Sequence, residues 1–367
     1  MEISRLTLRG FRNYDEAEAD FSPGVNVISG RNAQGKTNLL EAVYMLTGAR
    51  SFRTRFDREL IGFDRDEAEI TAEFEAAGRR QRLVIRLRRG VKKQVLVNGV
   101  KKTAGELGES LKAVLFCPED LNLIREGPAA RRRMMDMAIS QLRPGYGKLL
   151  SDYNKYYENK MRILRDFRDD RSMLDALPAF SDGLCRVSAK MIRYRASFAA
   201  RLREHAAPIH RDFSGAGEEL SMEYRTVSTV DDPTAPEREI YERLLKHLHS
   251  HAEAELASGS CLTGAHRDDL DIRIGGQSAR SFASQGQTRT AALSLKLAER
   301  EIILAETGED PVLLLDDVLS ELDAGRQDFV LRRIDGGQTL ITCCEDDRIA
   351  RRTGGRVLTV EKGRIFS

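Results

Sequence analysis

The residues from Gly30 to Thr37, GRNAQGKT, form a complete phosphate-binding loop of the G-x-x-x-x-G-K-T type. A short β-rich run, 25–29, precedes the loop, and a segment with helical apolar spacing, 38–46, follows it. Strand, loop and helix in this order are the context that the motif requires, so a chance glycine-rich turn is disfavoured. This feature predicts an α/β fold that binds a nucleoside triphosphate at the start of the helix.

The residue types in the loop have defined chemical roles. Glycine lets the backbone curl so that its N–H groups and the positive end of the helix face the β- and γ-phosphates. Lys36 adds a point charge and is a predicted catalytic residue, and the Thr37 hydroxyl is placed to bind Mg²⁺. The predicted nucleotide-binding residues are Gly30, Arg31, Asn32, Ala33, Gln34, Gly35, Lys36 and Thr37.

Composition narrows the class of protein. A length of 367 residues favours about two or three domains. The 59 Lys and Arg residues nearly balance the 57 Asp and Glu residues, so a polyanion-binding surface must come from local clustering. Five cysteines without a C-x-x-C pair predict reduced thiols in a cytoplasmic protein. Charges stand where a signal peptide needs an apolar run, and no membrane span is expected.

A second nucleotide-binding motif, of the Walker B type, lies far downstream, where the apolar run 312–315 ends in Asp316 and Asp317. Asp316 is predicted to hold Mg²⁺, and Asp317 is predicted to act in catalysis by orienting the attacking water. Lys36 and Asp316 are 280 positions apart (316 − 36). One crossover needs far fewer residues, so a substantial insertion must separate the two halves of the site.

Two further segments suggest anion binding. Ser284 and Gly286 precede a helix predicted from Thr288 to about Ala305, and a helix start of this kind can bind an anion, although a simple N-cap looks the same. Residues 79–102 hold ten basic side chains and no acid, on predicted strands that end at an Asn98-Gly99 hairpin turn. This run predicts a sheet face that binds a duplex phosphate backbone, the alternative being a solvated edge strand protected by charge. The DNA-binding candidates are Arg82, Arg86, Arg88, Arg89, Lys92 and Lys93.

Several motifs together resemble the RecF family, whose members are SMC-like ATPase heads of the ATP-binding-cassette type. They are F-R-N at 11–13, F-x-P-E-D-L-x-L-x-x-x-G-P-x-x-R-R at 116–132, G-A-H-R-D-D-L at 264–270, S-Q-G-Q at 284–287 and L-L-D-D-V-x-S-E-L-D at 314–323. The resemblance extends over nearly the whole chain. Three departures stand out. Ala265 replaces the family's proline, and the hinge has no Gln, which leaves Glu119 as the candidate there. Thr342 stands where many relatives carry a switch His that senses the γ-phosphate, and its hydroxyl is the candidate substitute.

The resemblance implies a fold and a set of site residues. The fold is an α/β P-loop NTPase head, a mixed sheet with helices, in which residues 1–117 and 285–367 form the ATPase lobe. Residues 118–284 form an inserted, mainly helical lobe. Apolar spacing predicts helix over roughly 128–257, and the run from Arg131 to Arg133 either binds DNA or neutralises a helix end. Irregular spacing without sustained heptads excludes a long coiled coil. Arg12 and Asn13 lie beside the nucleotide in relatives, and the D-loop residues Ser320 and Asp323 lie at a dimer interface. The signature residues, which act on the nucleotide of a second protomer, are Ser284, Gln285, Gly286 and Gln287.

The resemblance also implies a function. It indicates an ATP- and Mg²⁺-dependent DNA-binding protein of DNA replication and recombinational repair, which forms an ATP-dependent homodimer on duplex DNA near single-strand gaps. Family partners are RecR and RecO, with which it would help to load RecA. Aspartate at 317, where related ATPases often have glutamate, favours slow hydrolysis that serves as a timer. Two alternatives are an SMC-like structural head and a self-contained P-loop phosphotransfer enzyme, such as a small-molecule kinase or a GTPase. No N-K-x-D guanine-binding motif is present, which disfavours a GTPase.

Overall fold

The computed structural model describes residues 1–49, 51–54, 56–103, 106–107, 110–214, 217–334, 336–344 and 351–366. These residues form a mixed α/β structure. The strands are β1 Glu2–Phe11, β2 Tyr14–Asp20, β3 Val25–Ser29, β4 Glu67–Ala76, β5 Arg79–Arg88, β6 Val91–Val97, β7 Val100–Lys102, β8 Ala113–Phe116, β9 Leu220–Arg225, β10 Asp269–Ile274, β11 Gln277–Ser278, β12 Val312–Leu315, β13 Thr339–Cys343, β14 Arg356–Glu361 and β15 Arg364–Phe366. The helices are α1 Lys36–Met45, α2 Pro128–Leu142, α3 Tyr146–Asp166, α4 Leu177–Ser214, α5 Glu237–Ser258, α6 Ala279–Phe282, α7 Gln285–Thr307 and α8 Ala324–Arg333.

The chain divides into two compact units. The first comprises Met1–Asn122, Gln141–Pro144 and the chain from Ala292 onward, and the second comprises Leu123–Ser140 and Gly145–Ala291. The lobe boundaries expected from the sequence were 117 and 284. No described helix is both long enough and apolar enough to span a bilayer.

A six-stranded sheet in the first unit carries the two nucleotide motifs. Its strand order is β15-β14-β3-β13-β12-β8, and every pair except β14 with β15 is parallel. Every residue of β8, β12 and β13 is buried, which agrees with their nearly continuous apolar sequences. Because the carboxyl ends of parallel strands meet at one edge, the segments that follow β3, β12 and β13 lie together there.

The second sheet of the same unit is an antiparallel meander with the order β2-β1-β4-β5-β6-β7. Along β5, Leu83, Ile85 and Leu87 are buried, whereas Arg82, Arg86 and Arg88 on the opposite face are exposed, as the alternation predicted. Asn98 and Gly99 join β6 to β7 with φ angles of 51° and 79°. Both residues are in the left-handed region, as a type I′ hairpin turn requires, so the predicted hairpin is confirmed.

The second unit is mainly helical, but it also contains a three-stranded sheet of order β11-β10-β9. The sequence interpretation treated 128–257 as helical and missed β9, whose six residues pair with β10 from Leu220 opposite Ile274 to Arg225 opposite Asp269. The sequence of β9, LSMEYR, alternates apolar and polar residues as a strand does, but this short signal was overlooked between the longer helical patterns on either side. Helix α4, with 38 residues, is the longest in the described ranges and contains Pro208.

Buried arginines organise the second unit. Arg195 pairs with Asp136 at 2.8 Å and with Asp268 at 2.7 Å, so α2, α4 and the G-A-H-R-D-D-L segment share one ionic cluster. Arg131 is buried and makes a two-nitrogen contact with Asp269. The sequence left open whether the run from Arg131 contacts DNA or has a structural role. For Arg131 the structural role is the correct one, because a buried and paired guanidinium is not available to a phosphate.

Candidate nucleotide-binding site

The loop between β3 and α1 is shaped by two glycines. Gly30 has φ 148° and a Cβ there would lie 2.4 Å from the carbonyl oxygen of Val360. Gly35 has φ 125°, and a Cβ there would lie 2.9 Å from both the Asn13 amide and the Tyr14 hydroxyl. Neither position accepts a side chain, so the first and last glycines of the motif are dictated by the backbone path and by close neighbours.

Lys36 lies inside the loop. Its side chain is buried, and Nζ donates to the carbonyl oxygens of Gly30 at 2.8 Å and of Arg31 at 3.3 Å. In phosphate-binding loops the β- and γ-phosphate oxygens occupy this concavity. The geometry therefore holds one positive charge where the negative charge of a triphosphate would be greatest.

Thr37 and Asp316 come together as the sequence predicted for a Mg²⁺ site. The Thr37 hydroxyl donates to Asp316 Oδ1 at 2.9 Å, although the two residues are 279 positions apart. Burial raises the pKa of Asp316, and hydrogen bonds from Thr342 and Thr37 act in the opposite direction. A buried carboxylate beside a hydroxyl is an all-oxygen donor set that suits Mg²⁺, and a bound cation would offset the cost of burying the charge. The residues present therefore fit the ion.

Within the described residues, no three His, Cys, Asp or Glu side chains gather into a metal site. In nucleotide sites Mg²⁺ is usually bound by one or two protein oxygens together with substrate phosphates and waters.

Asp317 begins the segment after β12 in an unusual conformation. Its φ of 50° places it in the left-handed region, just before a 3₁₀ turn formed by Val318–Glu321. The Ser320 hydroxyl donates to the Asp317 carbonyl oxygen at 2.6 Å. A left-handed aspartate costs on the order of 1 kcal/mol and persists only where the surroundings enforce it, as is common at functional sites. The structure thus holds Asp317 in one orientation beside Asp316.

Thr342, the penultimate residue of the buried strand β13, links the two acids. Its hydroxyl donates to Asp316 Oδ1 at 2.9 Å and accepts the backbone N–H of Asp317 at 2.8 Å. From sequence, Thr342 was interpreted as a substitute for the switch His, with its hydroxyl directed to the γ-phosphate. In the structure its one hydroxyl hydrogen is donated to Asp316, because β13 lies next to β12 and brings the side chain against the carboxylate.

Arg12 and Asn13 support the loop from the β1–β2 turn. Arg12 donates from Nε and Nη2 to the two carboxylate oxygens of Glu41 at 2.8 and 2.7 Å, and Glu41 is fully buried in α1. Asn13 donates to the Gln34 carbonyl oxygen at 2.8 Å and accepts from Asn38 at 2.7 Å. The sequence predicted both residues beside the nucleotide; their described contacts fix α1 and the outer side of the loop.

Two residues near the site were missed by the sequence interpretation. Arg53 donates to Asn38 Oδ1 at 2.6 Å, and its positive charge lowers the pKa of Asp316. Cys344 Sγ lies 2.9 Å from Asn32 Oδ1 and 3.7 Å from Lys36 Nζ. Arg53 follows α1 in an irregular segment and Cys344 follows β13, so neither carries a periodic pattern that would have drawn attention to it.

The signature segment forms a capped helix start in the second unit. Helix α7 begins at Gln285, three residues before the predicted start at Thr288. Ser284 Oγ accepts the Gln287 backbone N–H at 3.2 Å, while Gln287 Oε1 accepts the Ser284 backbone N–H at 2.7 Å. This is a reciprocal capping box of the S-x-x-Q type, which explains the earlier start. Ser284 and Gln285 are exposed, at the positive end of a long helix.

The predicted D-loop and hinge residues also have defined positions. Asp323 caps α8 by accepting the Arg326 backbone N–H at 2.9 Å, and this bond lowers the pKa of Asp323. Ser320 and Asp323 are both exposed. At the hinge, Glu119 is exposed within a 3₁₀ turn, Pro118–Asn122, and the acid that fixes the turn is Asp120, which accepts the Cys117 backbone N–H at 3.0 Å.

The predicted DNA-binding face contains acids that the sequence window lacked. The antiparallel register places Glu73 opposite Arg82, Glu69 opposite Arg86 and Glu67 opposite Arg88. Arg86 and Arg88 form ion pairs with those glutamates at 2.7 and 3.0 Å. The exposed face of β4 and β5 thus carries both signs of charge, which corrects the expectation of a face without acids.

Of the other basic candidates, Arg89 lies in the β5–β6 turn, and Lys92 and Lys93 lie at the start of β6. Arg89 donates to the backbone carbonyl oxygens of Gly62, Phe63 and Arg65. Lys93 Nζ is 3.9 Å from Asp57, and Lys92 is exposed.

Comparisons with a family model and with individual proteins match this chain to the same family. Residues 2–361 match the family described as RecF/RecN/SMC N terminal domain. The DNA replication and repair protein RecF of Acetivibrio thermocellus is 39% identical over 369 residues, all of both chains. The same protein of Bacillus subtilis is 42% identical over 361 residues, 96% of each chain.

Solved structures show the same likeness. A structure described as the recombination mediator protein RecF-ATP in the RecFOR pathway has a TM-score of 0.89 and 34% identity, covering 100% of this chain and 97% of the other. A RecF-ATPrS structure has a TM-score of 0.91 at the same identity, covering 99% and 97%. An Smc head domain from Pyrococcus furiosus, 16% identical with a TM-score of 0.56, shares only the fold. The predicted ATPase-head fold is confirmed, and the chain belongs to the RecF family of DNA replication and repair proteins.

Proposed function

We propose that the chain is an ATP-dependent DNA-binding protein that dimerises on duplex DNA near single-strand gaps and helps RecR and RecO to load RecA. The observation that carries the proposal is the assembly of Lys36, Thr37 and Asp316 at one sheet edge, with oxygen donors suited to Mg²⁺ and a lysine inside the loop. The solved relative described as RecF-ATP supports ATP as the nucleotide. The pathway named for that relative supports RecR and RecO as partners.

The chemistry assigned to each residue follows from its position. Lys36 binds phosphate oxygens and stabilises the charge that develops during γ-phosphoryl transfer. Thr37 and Asp316 hold Mg²⁺, which neutralises phosphate charge when bound. Asp317, fixed in its left-handed conformation, orients the attacking water, and its short side chain favours slow hydrolysis. Arg53 adds positive charge near Asp316.

The dimer is proposed to form when the signature turn of one protomer closes on the nucleotide of the other. The capping box at Ser284 supports this role, because its exposed hydroxyl and the start of α7 together form an anion-binding end. Ser320 and Asp323 are exposed residues of the D-loop and are proposed to lie at the same interface. Hydrolysis would remove the γ-phosphate that joins the protomers, so the dimer would then dissociate. Because hydrolysis is slow, this dissociation would also be slow.

DNA contact is proposed for the basic residues of the β5–β6 hairpin. Lys92 is the best supported of these residues, because it is exposed at the start of β6, next to the turn. Arg82, Arg86 and Arg88 would contribute less, since each faces a glutamate on β4. Contacts of this kind bind phosphates without reading sequence, as a protein that acts at gaps requires.

The proposal is tested by the mass in solution measured by light scattering, with and without ATP, Mg²⁺ and gapped DNA. We expect the wild type to double its mass only with ATP, and Asp317→Asn to stay dimeric because it binds but does not hydrolyse. Lys36→Met and Ser284→Arg should stay monomeric. If every form remained monomeric while hydrolysing ATP, the signature assignment would be wrong and a self-contained phosphotransfer enzyme would be the better interpretation.

A further inference from the structure

The amide of Gln287 connects the signature cap to a distant carboxylate. Its Oε1 accepts the Ser284 N–H at 2.7 Å, and its Nε2 donates to Glu218 Oε1 at 2.6 Å. Glu218 lies between α4 and β9, 69 positions before Gln287, and belongs to the same compact unit. A side chain from a separate element is therefore attached to the turn that is proposed to reach the second protomer's nucleotide.

The carboxylate selects the orientation of the amide. With Nε2 on Glu218, the oxygen of the amide faces the Ser284 N–H, and both contacts are favourable. The flipped amide would place its oxygen against the carboxylate and its NH₂ group against an N–H, which makes both contacts unfavourable. Only one orientation thus satisfies the two groups, and the bond to a charged acceptor is stronger than one between neutral groups.

The orientation of the amide matters for the serine hydroxyl. The Ser284 oxygen accepts the Gln287 backbone N–H at 3.2 Å, so its hydroxyl hydrogen is left to donate to an anion. Because hydrogen bonds hold both the backbone N–H and the side-chain oxygen of Ser284, the position from which this hydroxyl donates its hydrogen is fixed. Glu218 also lies close to a buried imidazole, since His210 Nε2 is 3.8 Å from its Oε2.

We propose that Glu218 is a positioning residue for the signature turn. By holding the Gln287 amide in one orientation, it sets the cap from which Ser284 donates a hydrogen bond to the γ-phosphate on a second protomer. The inference rests on the proposed function of the signature segment and adds the residue that orients it. Glu218 does not touch the nucleotide, and it acts through Gln287.

The first experiment compares Glu218→Ala with Glu219→Ala. The control removes the same charge from the next residue, which is exposed. Loss of a hydrogen bond to a charged group changes an equilibrium constant by roughly tenfold to a hundredfold, so for Glu218→Ala we expect the ATP-dependent dimerisation constant to fall by about that factor. Binding of an ATP analogue to the monomer should be unchanged in both variants, because Glu218 lies in the unit that lacks the phosphate-binding loop.

The second experiment is an exchange of the two side chains. Gln287→Glu alone sets two carboxylates against each other and should impair dimerisation. The double variant Glu218→Gln with Gln287→Glu restores a donor and an acceptor in reversed order, and glutamate at this position still completes a capping box. We expect the double variant to recover most of the lost dimerisation, which a general loss of stability would not do.

Ser284→Ala separates failure of the inference from failure of the proposed function. If Ser284→Ala weakens dimerisation while Glu218→Ala behaves like Glu219→Ala, the positioning role is wrong and the signature role stands. If Ser284→Ala has no effect, the proposed function of the signature fails and the inference fails with it. Failure of the exchanged double variant to recover would also overturn the positioning role.

Discussion

The hydroxyl of Thr342 offers a sharp test of the catalytic edge, by the substitution Thr342→Val. Valine keeps the shape of threonine but removes the bond to Asp316 and the acceptor for the Asp317 N–H. A hydrogen bond to a charged group contributes about 1.5 to 3 kcal/mol, and a buried N–H left without a partner costs about 1 to 3 kcal/mol. We therefore expect the free energy of unfolding to fall by about 3 kcal/mol near pH 7.

A matched control lies on the same strand. Thr339 is also fully buried, and its hydroxyl has no hydrogen-bond partner among the residues that the structure describes. Thr339→Val makes the same chemical change without removing a bond, so it should leave the stability unchanged or slightly higher. Urea unfolding of both variants and of the wild type, without nucleotide, measures the difference. Equal unfolding midpoints for the two variants would refute the role given to Thr342.

The pH dependence of this difference has a definite sign. Burial holds the pKa of Asp316 above its ordinary value, so its ionisation opposes folding, and stability is lost as pH rises through the folded-state pKa. The Thr342 bond lowers that pKa and reduces the loss. The gap between Thr342→Val and the wild type should widen as Asp316 ionises and narrow in acid. The acidic limb of Mg²⁺-dependent ATP hydrolysis should also move to higher pH in Thr342→Val.

Three other outcomes follow from contacts in the first unit. A maleimide should label Cys344 before the four buried cysteines in the native protein, and saturating ATP should slow the labelling, whereas Cys344→Ser should remove the fast phase. Arg12→Met should lower the free energy of unfolding in urea by about 3 kcal/mol, because it leaves Glu41 buried without its main ion-pair partner. The double variant Arg12→Met with Glu41→Gln should recover part of that loss. An undiminished stability in Arg12→Met would contradict the pairing. Lys92→Ala should reduce the slope of log binding constant against log salt concentration for DNA by about one, whereas Arg86→Ala should change that slope less. Equal slopes for the two variants would argue against DNA contact by the β5–β6 hairpin.

The nucleotide motifs could be predicted from sequence because their chemistry is local. A glycine-rich loop and an apolar strand ending in acids each specify their own geometry, and Thr37 and Asp316 meet as expected. The start of α7 was predicted three residues late because the Gln287 side chain closes the cap, and a capping pair is easily overlooked beside the longer apolar pattern.

Other features depend on which strands become neighbours. Glu69 and Arg86 are 17 positions apart, and only the pairing of β4 with β5 makes them an ion pair. Likewise, Arg12 meets Glu41 and Thr342 meets Asp316 through the order of the strands rather than through sequence spacing. Composition of a window therefore overstated the positive charge of the hairpin face. Sequence periodicity therefore could not predict the long-range partners of the charged side chains.

The position of β3 has a consequence for the synthesis of the chain. This strand carries the phosphate-binding loop near the start of the sequence, yet its two neighbours in the sheet, β13 and β14, come from beyond residue 338. Gly30 also packs against the Val360 carbonyl, and Lys362 and Gly363 donate their backbone N–H groups to Gln34. When the ribosome has synthesised the loop, the strands β13 and β14 that flank it have therefore not yet been synthesised. ATP binding should be acquired only when β14 has emerged, so the growing chain cannot engage nucleotide or a second protomer prematurely.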